Sequence, residues 1–116
     1  MNSTEATKNL VLDALDITQF GLHSGAPGAA GTANEVSGSG YARQAGTLAA
    51  ASGGERAVSA QIDFSTPASQ SVTHISLWAG STFRLSIPRT SGDSAANSAG
   101  EYSIGTGTKV TLQDVV

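Results

Sequence analysis

From residue 17 onward, apolar residues recur at every second position in short runs, and each run ends in turn-forming residues such as Gly, Pro or Ser. Such a chain is restricted to short strands joined by turns. In the clearest run, Val58, Ala60, Ile62 and Phe64 alternate with Ser59, Gln61 and Asp63. In a second, over residues 72–78, Ile75 and Leu77 stand opposite His74, Ser76 and Trp78. Phe83, Leu85 and Ile87 share a face before Pro88, which ends that strand or places it on an edge. Residues 17–23, 41–50, 102–106 and 108–113 read as further strands, with Val110 and Leu112 pointing one way. Six or seven such strands predict a mainly all-β domain, a small antiparallel β-sandwich or jelly-roll-like barrel.

Only the start of the chain shows helical spacing. Ala6, Leu10, Val11, Ala14 and Leu15 form one apolar stripe, Ser3 or Thr4 supplies a cap, and Glu5 suits the first turn. The expected organisation is one domain over residues 1–116, with a helical arm at 1–16 and a β domain at 17–116. Residues 24–40, rich in Gly, Ala and Ser, are long for a connection and are the expected interface loop, together with the helix stripe. Residues 89–100 read as a polar surface loop.

Ala, Ser, Gly and Thr supply 60 of the 116 residues, and aromatic residues only 5%. A thin core built on Ala and Thr is expected, one that burial against neighbouring subunits would complete. Net charge is −3 and the six Lys and Arg are scattered, so there is no footprint for nucleic acid. No apolar run approaches the ~20 residues that span a bilayer. The first ten residues have no signal-peptide pattern and the chain has no cysteine, as expected of a protein made in a reducing cytoplasm. The sequon at Asn2, Ser3 and Thr4 is read as coincidence for the same reason.

Little in the chain points to chemistry. Neither His23 nor His74 has the ligand spacing of a metal site. Asp63 and Glu55 could be an acid–base pair, but Asp63 falls on the polar face of its strand, where a solvated carboxylate is the default. No GxSxG elbow occurs, and Gly38-Ser39-Gly40 lacks dinucleotide spacing. Gly105-Thr106-Gly107-Thr108-Lys109 lacks the phosphate-loop pattern and is read as a kink in a closing hairpin. Trp78 is read as a packing anchor, with a subunit contact or a sugar-stacking platform as its alternatives. Accordingly no catalytic, cofactor-binding or metal-binding residue is assigned, and no cofactor.

Several phrases carry a resemblance. They are TKNLVLDAL at residues 7–15, FGLHSGAPG at 20–28, ANEVSGSGYARQAG at 33–46, AAASGG at 49–54 and THISLWAG at 73–80. In content and spacing they resemble the small tail-fibre-like virion proteins of tailed bacteriophages. Those proteins usually continue after the Trp strand with a Gly-rich FLGSG segment, where this chain reads STFRLSIPRTSG. The resemblance implies a non-enzymatic structural protein on the exterior of the virion, made in the host bacterial cytoplasm and assembled in multiple copies. Its implied partners are itself, a trimer being one option, and other virion proteins, with a host surface glycan as a further option. Nucleic acid and membrane insertion are not implied. Two placements follow, a tail-fibre or tail-tip component and a capsid decoration protein. The alternatives of other classes are a carbohydrate-binding module using Trp78 and a small hydrolase.

Overall fold

A computed structural model describes residues 16–89 and 94–111. The helix expected over residues 4–15 lies outside the described residues. Within them the protein is all-β, with eight strands: β1 Gln19–His23, β2 Gln44–Ala45, β3 Glu55–Ala57, β4 Ile62–Ser65, β5 His74–Ala79, β6 Thr82–Pro88, β7 Glu101–Ile104 and β8 Lys109–Thr111.

β1, β2, β5 and β6 form a four-stranded sheet in the order β2-β1-β5-β6, antiparallel throughout. Alternation sorts its side chains. Phe20 and Leu22 of β1 lie beside Leu77 and Ile75 of β5, which in turn lie beside Leu85 and Ile87 of β6. Gln19, Gly21 and His23 stand opposite Trp78, Ser76 and His74 and carry the other face. Between Leu77 and Trp78 the register slips, so that Arg84 is the extra residue of a bulge in β6. The bulge and Pro88 both lie on this edge strand, where they discourage further pairing.

β3 pairs with β8 and β4 with β7, both antiparallel. The strand expected over residues 58–64 forms only from Ile62 on, as β4; the chain breaks after β3, Val58 makes an isolated bridge to Leu48, and β7 and β8 do not close a hairpin on each other. The break has a plain cause. β7 and β8 are separated by a turn at Gly105, where the Thr108 N–H bonds the Gly105 carbonyl at 3.1 Å. Their partner chain must bend at the same level, and there the Val58 N–H donates to Thr108 and the Ser59 N–H to Thr47. Residues 41–50 likewise shorten to the two residues of β2, because Leu48 leaves the sheet to bridge Val58.

Phe20, Leu22, Ile75, Leu77 and Ile87 share one buried cluster with Val58, Ile62, Phe64, Tyr102, Ile104 and Val110. The thin Ala/Thr core is thus corrected. The few large residues are concentrated inside, each worth about 1.5–3 kcal/mol when fully buried. Among the described residues Ala96 is the only buried alanine in that cluster, with the partly buried Ala51 packed against it. Ala96 belongs to the segment expected to be a surface loop, whose described part instead bridges back to residues 70–72. There the Val72 N–H donates to Ser94 and the Ala96 N–H to Gln70.

Candidate functional site

The second face of the four-stranded sheet holds the most developed polar cluster in the described structure. Residues 24–43, made of the expected interface loop at 24–40 and the first residues of the strand expected at 41–50, turn back along β1 and cover this face. The Ser24 N–H donates to the Asn34 carbonyl and the Val36 N–H to the Leu22 carbonyl, and His23 bridges Glu35. Gly31 has φ 75°, and a Cβ there would collide with the Phe83 ring, so the segment sits directly on that ring. Phe83 in turn packs against Trp78, with ring centroids 5.3 Å apart.

Under this cover a chain of hydrogen bonds runs between strands. His23 Nδ1 lies 2.9 Å from the Ala33 carbonyl, which can only accept, so Nδ1 carries the proton. The neutral ring must then accept at Nε2, from the Ser76 hydroxyl at 2.7 Å. The Ser76 oxygen accepts the Trp78 indole N–H at 2.8 Å. Trp78, Ser76, His23 and Ala33 therefore form one directional chain. Burial holds the His23 pKa below its ordinary value of 6.5, against the opposing pull of the Ala33 carbonyl and Glu35.

A second set closes the cluster from above. Arg43 donates to both oxygens of Glu35 at 2.9 Å, a bidentate pair. The Tyr41 hydroxyl donates to Glu35 at 3.0 Å and accepts the Leu22 N–H at 2.8 Å. Burial pushes the Tyr41 phenol up, so it stays protonated. The Arg43 guanidinium lies 3.5 Å from the Trp78 ring centroid, a cation–π contact. A Cβ on Gly21 would stand 2.6 Å from the Ser76 hydroxyl, 3.1 Å from Glu35 and 3.2 Å from Tyr41. Only glycine leaves these three oxygens room to converge.

Ser76 beside His23 has the spacing of a nucleophile and its base. Both are fully buried, however, and the serine oxygen is already held by the indole. The Ser76 hydroxyl is closed off from solvent. Trp78 is 4% exposed, with Arg43 over its ring and Phe83 beside it, so it is a packing anchor and offers no open face for a sugar. No buried side-chain N or O among the described residues lacks a hydrogen-bond partner, and the cluster leaves none for a ligand.

Asp63 lies elsewhere, on the outer face of β4 and β7. Its Oδ1 accepts from Gln61 at 2.8 Å and Ser103 at 2.6 Å, which hold its pKa below the ordinary value. With Asn97 and Glu101 these residues line an open groove of about 550 Å³. Glu55 does not join it; its carboxylate pairs with Lys109 at 3.1 Å. His74 bonds its neighbour Thr73 at 2.9 Å. Among the described residues no three His, Cys, Asp or Glu stand together as metal ligands, and no helix is long and apolar enough to cross a membrane.

Residues 14–84 match the family model described as Podophage GP4 fiber I protein gp80, over more than half of the chain. The chain belongs to this family. No curated protein and no solved structure is a significant match to it. The match takes in every residue of the polar cluster and the rings beside it, from Gly21 to Phe83, and ends at Arg84. It stops short of β7, which supplies Glu101 and Ser103 to the open groove. Three of the phrases that carried the resemblance in the sequence, at residues 20–28, 33–46 and 73–80, are therefore parts of one internal clasp. Chain order hid this: His23 and Ser76 are 53 residues apart. The available signal was the shared polar face of Ser76 and Trp78, combined with Glu35 and Arg43 in one phrase.

Proposed function

We propose that this protein is a non-enzymatic building block of the fibre apparatus on the exterior of a tailed phage particle, present in multiple copies. The match to a podophage fibre protein over residues 14–84 carries this reading. The structure supports it through the use made of the matched residues. Their polar groups are spent on one another, in a clasp that stiffens the sheet, and the two best-placed reactive groups are sealed from solvent.

Its partners are other copies of itself and neighbouring virion proteins. Specific contacts of a standard ~1,600 Å², repeated over many copies, give avidity from modest individual affinities. The inner side of residues 24–43 is occupied by the protein's own sheet, so any contact there uses the outer side, where Ala29, Ala30, Thr32 and Ser37 are exposed. Gold-labelled antibody against the protein, applied to purified particles, tests the placement. Label confined to the fibres is expected. Label spread over the shell would replace this reading with capsid decoration, and an unlabelled particle lacking the protein by mass spectrometry would end the virion reading.

A further inference from the structure

We propose that His23 is an acid-sensitive latch, whose protonation releases residues 24–43 from the outer face of the four-stranded sheet. The argument rests on where the ring sits and how its two nitrogens are used. His23 is the last residue of β1, at the foot of the covering segment, and is fully buried. One nitrogen holds the Ala33 carbonyl of the cover and the other holds Ser76 of the sheet. The ring is thus the pin between the two layers.

Proton accounting shows why charge undoes it. The neutral ring donates at Nδ1 and accepts at Nε2. An imidazolium only donates, so Ser76 would face two N–H donors, from His23 and Trp78, and its own hydroxyl proton would need a new acceptor inside a buried site. A buried donor left without an acceptor costs on the order of 1–3 kcal/mol, and burying the cation adds desolvation. Opening the cover lets water solvate both.

The charges facing the ring set how far acid must go. Glu35, from the cover, favours the cation, while Arg43 beside it opposes. Tyr41 is protonated and contributes no charge. From β5, His74 stands directly opposite His23 in register and repels it once charged. From β6 the residues at this level, Ser86 and Pro88, carry no charge. Burial dominates, so the closed form takes its proton below pH 6.5 and the open form near it.

Amide hydrogen exchange on the intact chain between pH 7.5 and 5.5, above the ordinary carboxylate range, tests the latch. After correction for the intrinsic pH dependence, opening of residues 24–43 is expected to rise up to about tenfold per pH unit below 6.5. Peptides from β4 and β7 should stay protected, and His23→Gln should remove the dependence. Should His23→Gln fail to fold, His74→Gln and the emission of Trp78, the sole tryptophan, decide. His74→Gln should retain the transition, and Trp78 emission should shift to the red with it. A cover whose protection ignores pH overturns the proposal. So do a transition shared by all strands, one that survives in His23→Gln, and one that disappears in His74→Gln.

Discussion

The Arg43 guanidinium lies 3.5 Å from the ring centroid of Trp78 while its Nε–Nη2 edge grips both oxygens of Glu35, so one side chain ties the covering segment to the sheet in two ways. Arg43→Ala removes the cation–π contact and leaves a half-buried carboxylate without its partner. A loss of about 1–3 kcal/mol is expected in a urea titration. Arg43→Lys should recover only part of it, since an ammonium cannot make the forked pair.

Ser76→Ala leaves the Trp78 indole N–H without an acceptor and His23 Nε2 without a donor in a fully buried place. The expected cost is about 2–4 kcal/mol. Because the two bonds form one chain, Ser76→Ala combined with His23→Phe should cost clearly less than the sum of the single changes. A double-mutant cycle by equilibrium denaturation reads this directly.

Gly21→Ala would place a methyl group 2.6 Å from the Ser76 hydroxyl and near Glu35 and Tyr41. A destabilisation of about 1–3 kcal/mol is expected from the displacement of that network. Gly105→Ala, with no atom within 4 Å of the new Cβ and no positive φ, is the matched control and should change the thermal midpoint little.

Stability should decline as pH falls below 6.5. The His23 pKa is lowered on folding, so in this range the unfolded chain binds more protons than the folded one, and stability rises with pH. A second decline should begin near pH 3.8, where the unfolded chain starts to protonate Asp63 while the folded carboxylate is still held ionised by Gln61 and Ser103. Asp63 is fully exposed, so this second step should be the shallower. Thermal melts across pH 3–8, with Asp63→Asn lacking only the lower step, check both.

The period-two runs made much of the fold legible. The inward set Ile62, Phe64, Ile75, Leu77 and Ile87 follows from local alternation alone, as does the outward place of Asp63. Strand lengths were less accessible. The bend between β3 and β4 answers the turn at Gly105 more than forty residues away, and nothing in residues 58–61 announces it. The small-residue composition also misled, because it describes the surface while the large side chains are gathered inside.

By itself the sequence determined the strand character of this protein, the inward face of β4 and β5 and of Leu85 and Ile87, and the phrases that mark it as a phage fibre protein. These are local properties, written in side-chain period and short-range order. Phe83, expected on the face of Leu85 and Ile87, is turned by the bulge to the side of Trp78. Only the tertiary structure decided that His23, Glu35, Tyr41, Arg43, Ser76 and Trp78 meet beneath residues 24–43. Their meeting depends on the pairing of Gly21 with Ser76 in the β1–β5 register, and on a glycine small enough to let the oxygens converge. A register between strands dozens of residues apart is set by packing of the whole chain, and a one-residue slip would have turned the same side chains to opposite faces.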